Sequence, residues 1–84
     1  MSRYNLIATP TFRKDLQKLD IQTYERILRV LEKLEEDPFV GKKLRSVKVG
    51  CWRIRVGQYC IRYDIIGNDI VLHRVRHRKT IYEK

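Results

Sequence analysis

Apolar residues recur at two different spacings along this chain, and the change between them divides it. Phe12, Leu16 and Leu19 lie three and four apart, as do Tyr24, Ile27, Leu28, Leu31 and Leu34, the stripe of an amphipathic helix. After residue 50 the period becomes two: Trp52, Ile54 and Val56 alternate with Cys51, Arg53 and Arg55, as in a half-buried strand. Residues 3–8 read as a short opening strand. Thr9 can cap a helix, and Pro10 suits its first position, where a missing N–H costs nothing. That helix runs to about residue 19; Asp20 caps a second, which Pro38 stops. Two helices with so short a join form a hairpin with one apolar face.

Residues 37–50 form a basic connector containing Pro38, Gly41 and Gly50. Gly57-Gln58 then fits a two-residue β-turn with glycine first. This turn fixes a register: Val56 opposite Tyr59, Arg55 opposite Cys60, Ile54 opposite Ile61, Arg53 opposite Arg62 and Trp52 opposite Tyr63. One face carries Trp52, Ile54, Val56, Tyr59, Ile61 and Tyr63 and can pack on the helices. The other carries Arg53, Arg55, Cys60 and Arg62. A second turn near Gly67-Asn68 leads to a strand over residues 70–76. The expected fold is α+β, ordered β-α-α-β-β-β, a helical hairpin packed on a small antiparallel sheet in a single domain, 1–84.

Charge follows the same division. Residues 1–41 hold seven Lys/Arg and seven Asp/Glu, whereas residues 42–84 hold twelve Lys/Arg against three Asp/Glu, the whole net charge of +9. Aromatics Trp52, Tyr59, Tyr63 and Tyr82 are interleaved with the cations. Such segregation suggests a scaffold carrying a polyanion-binding face, because phosphate neutralisation supplies most non-specific affinity for nucleic acid. Arg53 directly opposite Arg62 is unfavourable in a sheet. An anion between them would relieve it, and so would a carboxylate from Asp64 or from a helix. No stretch nears the ~18 apolar residues of a membrane span, and the N-terminus lacks a signal-peptide core; a cytoplasmic location without membrane contact is expected. Cys51 falls opposite Asp64 in this register, several residues from Cys60, so no disulfide is expected. Both cysteines read as packing residues, with a nucleophilic Cys60 beside Arg55 the less favoured alternative.

Four stretches together resemble the RelE/ParE superfamily of toxins: Lys42-Lys43-Leu44-Arg45, Trp52-Arg53-Ile54-Arg55-Val56-Gly57-Gln58-Tyr59, Ile61-Arg62-Tyr63, and Val75-Arg76-His77-Arg78-Lys79-Thr80-Ile81-Tyr82. The resemblance spans nearly the whole chain and implies a RelE-like microbial RNase fold. It also implies a ribosome-dependent mRNA endonuclease that cleaves A-site codons, the 2′-hydroxyl attacking the adjacent phosphate. Carried over by position, the implied catalytic residues are Arg53, Arg55, His77, Arg78 and Tyr82, with no metal and no cofactor. Where relatives usually carry Arg after the Gly-x-Tyr turn, this chain has Cys60; Arg62, two residues on, lies on the same face. Arg76 and Ser46 stand where relatives often have Gly.

Arginine suits stabilisation of a phosphorane, because its fork binds phosphate bidentately and stays charged. Arg53, Arg55 and Arg78 are the candidates; one well-aimed donor of this kind is worth roughly 3–4 kcal/mol. His77 titrates near neutrality and Tyr82, beside arginines, can lose its proton more easily, so these two are the acid–base candidates. Each also has a plain structural reading, as an exposed His and a C-terminal anchor, and His73 within the strand reads as structural. Lys42, Lys43, Arg45, Lys48, Arg62, Arg74 and Arg76 are expected to hold RNA or ribosomal backbone. The resemblance further implies an acidic RelB-like antitoxin and a toxin–antitoxin hetero-oligomer. Two alternatives compete: a ParE-like toxin inhibiting DNA gyrase, and a non-catalytic nucleic-acid-binding or decayed toxin.

Overall fold

The two caps read from the sequence organise the helical layer. The computed structural model describes residues 3–78. Strand β1 (Asn5–Ala8) leads into α1 (Pro10–Gln17), and α2 (Ile21–Glu36) follows. The Thr9 hydroxyl accepts the Phe12 N–H at 3.2 Å and donates to the Leu72 carbonyl at 2.9 Å, so one side chain caps α1 and ties it to the sheet. Asp20 accepts the Thr23 N–H at 3.2 Å and the Thr23 hydroxyl at 2.6 Å. These bonds, the hydroxyl's first, hold the Asp20 carboxyl below the usual range. Ile27, Leu31 and Leu34 of α2 are buried with Phe12 of α1, while Leu28 of the expected stripe is 41% exposed.

A 3-10 turn (Pro38–Val40) then leads to the sheet strands β2 (Lys42–Lys43), β3 (Trp52–Val56), β4 (Tyr59–Ile66) and β5 (Asp69–His77). The sheet order is β1-β5-β4-β3-β2. Two features refine the expected antiparallel sheet. β1 joins β5 in parallel, so the sheet is mixed, and Lys42–Lys43 adds a short fifth strand at the β3 edge. The hairpin register is the expected one, from Trp52↔Tyr63 through Val56↔Tyr59. Gly57 sits at φ +61°, the left-handed position that a glycine-first hairpin turn requires.

Between β4 and β5 the ladder slips at Arg62/Tyr63: Arg62 pairs with Arg74 and Tyr63 with Leu72, leaving His73 as the extra residue. This bulge lets Leu72 and Val75, three apart, both enter the core. Tyr63 is fully buried and its hydroxyl donates to the Pro38 carbonyl at 2.7 Å, fastening the turn that delivers β2. Beyond Leu72, β5 has lost β1 as a neighbour, and α1 covers that edge. Buried Asp15 accepts the Val75 N–H and the Arg74 Nε, each at 2.9 Å. An otherwise bare strand edge is thereby paired. The helices and the apolar core occupy one side of the sheet. No helix among the described residues is long and apolar enough to cross a membrane.

Candidate nucleic-acid interface

Residues directly opposite in neighbouring strands project from the same face, so register alone assembles the basic surface. One row crosses four strands, Lys42↔Arg53↔Arg62↔Arg74. A second row, Arg55↔Cys60↔Arg76, lies two residues away, about 7 Å along the strands. Both rows are on the side away from Ile54, Ile61 and Val75, which face the helices.

The cations are not equally engaged. Arg74 is paired with Asp15, the helix acid. Arg62 Nε donates to the Gly50 carbonyl at 2.7 Å. Asp64 pairs with neither Arg53 nor Arg62. It accepts the N–H groups of Gly50 and Cys51, each at 2.8 Å, and its Oδ2 lies 2.9 Å from His73 Nε2. Burial opposes ionisation of Asp64, but the Cys51 and Gly50 N–H groups and His73 outweigh it, and its pKa lies below the usual value. Among the described residues, no carboxylate pairs with Arg53, Arg55, Arg62 or Arg76.

Lys42 is on the row, whereas Lys43 pairs with Trp52 and so shares the other face. Trp52 packs there edge-on against Phe39, ring centroids 5.5 Å apart. Arg45 and Lys48 are exposed on the loop between β2 and β3. The Asp64 clamp holds the end of this loop, and the Cys51 thiol donates to the Val47 carbonyl at 2.8 Å. Burial and the nearby Asp64 push that thiol's pKa up, so Cys51 is a poor nucleophile. Cys60 lies between Arg55 and Arg76 and is 1% exposed; both cysteines are free.

The last strand separates residues that the sequence groups. Arg76 is on the face of Arg55, but His77 pairs with Tyr59, their ring centroids 5.1 Å apart, on the opposite face. The Arg78 N–H closes onto the Gln58 carbonyl at 2.7 Å, at the hairpin turn. Its Nε is buried with no hydrogen-bond partner among the described residues. Tyr82 lies outside the described residues. Asp15, Asp64 and Gly50 were not among the candidates, yet they position the loop and Arg74 and Arg62. The signal for Asp15 was its place within the stripe of Phe12, Leu16 and Leu19, an acid on an apolar helix face. Among the described residues, no three His, Cys, Asp or Glu side chains converge as metal ligands would.

A helical hairpin backing a five-stranded mixed sheet, with two rows rich in arginine on the other face, defines a small α+β domain. Comparison with known proteins narrows the class. Residues 6–82 match the family model for the ParE toxin of the type II toxin–antitoxin system, parDE. Toxin RelE3 of Methanocaldococcus jannaschii is 33% identical over 84 residues, covering 93% of this chain and 94% of that protein. The fold superposes on the RelBE2 toxin–antitoxin complex of Mycobacterium tuberculosis with TM-score 0.81 at 32% identity, over 90% of this chain and 99% of that one. It superposes on the RelB–RelE complex of Methanococcus jannaschii with TM-score 0.76 at 32% identity, over 92% and 95%. The chain belongs to the RelE/ParE superfamily, the toxins of type II toxin–antitoxin systems.

Proposed function

We propose that this toxin is a ribosome-dependent mRNA endonuclease that cleaves A-site codons by 2′-hydroxyl attack. The observation that carries this reading is the face on which Arg53, Arg55 and Arg76 stand with no carboxylate partner among the described residues, beside the turn that holds Arg78. Arg53, Arg55 and Arg78 stabilise the phosphorane, each positioned by strand pairing or a backbone bond rather than by a flexible loop. Tyr82 is assigned the proton transfer at the 2′-hydroxyl. His77, packed on Tyr59 on the opposite face from Arg53 and Arg55, is given no step, and the leaving oxygen takes its proton from solvent. Lys42, Lys43, Arg45, Lys48, Arg74 and Arg76 hold RNA or ribosomal backbone. No metal or cofactor is needed for this chemistry.

Support for the partners comes from relatives: the M. tuberculosis and M. jannaschii structures are toxin–antitoxin complexes. An acidic antitoxin is therefore proposed here too, in a cytoplasmic hetero-oligomer that masks the +9 charge. The gyrase reading keeps one specific ground, since the matching family model is described as ParE. Expression in cells separates the two: growth arrest with cut messages and intact chromosomes supports the nuclease. Arrest with DNA damage and intact messages supports gyrase poisoning, and no arrest by folded protein supports the decayed toxin that Cys60 suggests.

A further inference from the structure

The row Lys42–Arg53–Arg62–Arg74 sets like charges directly opposite one another on adjacent strands, an arrangement that destabilises a sheet unless something offsets it. At one end Asp15 neutralises Arg74. In the middle, Arg53 and Arg62 face each other, and no carboxylate among the described residues pairs with either. Asp64, two residues along β4 on the same face, is committed to the backbone of Gly50 and Cys51 and to His73.

That commitment has a consequence for Arg62. By fixing Gly50, Asp64 also fixes the Gly50 carbonyl, which takes the Arg62 Nε–H at 2.7 Å. Gly50 is buried at φ +67°, and a Cβ there would lie 3.3 Å from the Arg62 Cβ, so glycine is needed to bring this carbonyl in. A guanidinium holds five N–H donors in one plane. With Nε anchored, the plane is set, and no carboxylate among the described residues takes the four Nη donors beside Arg53. A cation meant only to solubilise the surface would not be aimed in this way.

We infer that Arg62 and Arg53 form a phosphate-binding clamp for a backbone phosphate of single-stranded RNA, aimed by the Gly50 carbonyl. The inference rests on the reading that this face takes RNA. Asp64 and His73 act through Gly50 and are positioning residues.

The test is binding of 2′-O-methyl RNA, which lacks the attacking hydroxyl, followed by fluorescence anisotropy across a salt series. Arg62→Ala is expected to flatten the slope of log affinity against log salt by about 0.7, the value for one phosphate contact on a single strand. Arg62→Lys keeps the charge but loses the anchored fork, so affinity falls several-fold with the slope retained. Asp64→Asn is expected to behave like Arg62→Lys, its folding checked by circular dichroism. An unchanged slope in Arg62→Ala, wild-type affinity in Arg62→Lys, or no binding by the wild type would overturn the clamp. The nuclease is judged separately. Cutting on ribosomes with an unchanged Arg62→Ala slope defeats the clamp alone, and a flattened slope in a protein that never cuts defeats the nuclease alone.

Discussion

Tyr63 shows how one side chain serves both core and site. Its ring fills the centre of the core, and its hydroxyl satisfies the Pro38 carbonyl in the turn leading to β2. Tyr63→Phe leaves that acceptor without its partner, at a cost of about 1–3 kcal/mol measurable by urea unfolding. Burial also pushes the phenol up to about 12. The folded pKa is raised above the unfolded value of about 10. The stability linked to it is therefore complete below about pH 10 and is lost as pH rises through about 12. Ultraviolet titration should show one tyrosine ionising only as the fold is lost. Asp64 has the opposite sign. Its folded pKa is lowered, so its contribution is present above about pH 4 and disappears as pH falls through the folded value. The Gly50 and Cys51 amide shifts should move together in that acid window; amides that stay unmoved there would contradict the Asp64 clamp. The register placed Tyr63 on the core face and Asp64 opposite Cys51, but the bonds to Pro38, Gly50 and His73 were not legible, because each depends on how the chain outside the hairpin folds back.

At the scale of elements, the β3–β4 hairpin was legible in full, down to Arg53 opposite Arg62. A two-residue turn starting with glycine leaves one register, and shifting it would turn Trp52, Ile54 and Val56 out of the core. The caps at Thr9 and Asp20 were legible for a similar reason, since each acts within three residues. Other features escaped. β2 is two lysines long and has no alternating pattern; it exists because the Pro38–Val40 turn places it against Trp52 and Arg53. The parallel pairing of β1 with β5 joins residues more than sixty apart, which no local pattern records. The bulge at His73 makes Leu72 and Val75 both face inward, and it carries His77 to the side of Tyr59. A strict alternation could not place His77 relative to Arg53 without knowing of that slip. Asp15→Ala should loosen this region selectively. It unpairs the buried Val75 N–H and frees Arg74, so about 1–3 kcal/mol of stability is lost. Hydrogen exchange at Val75 should accelerate while the β3–β4 hairpin stays protected; uniform acceleration would contradict an edge-covering role for α1.

For the whole molecule, the division of charge seen in the sequence becomes a division of faces. The balanced first half supplies the helices that back the sheet, and the basic second half supplies the rows on its open side. On the reading proposed above, RNA meets the toxin through a surface that a covering acidic antitoxin would also occupy. The two should compete, and an antitoxin should lower the affinity for RNA in proportion to its occupancy. Mapping mRNA ends by primer extension on translating ribosomes, with naked mRNA and an Arg55→Ala control alongside, tests the central claim most directly. The expected result is cuts within A-site codons, on ribosomes only, lost or reduced by orders of magnitude in the control. Intact message from folded wild-type protein, or cuts that persist in Arg55→Ala, would contradict it.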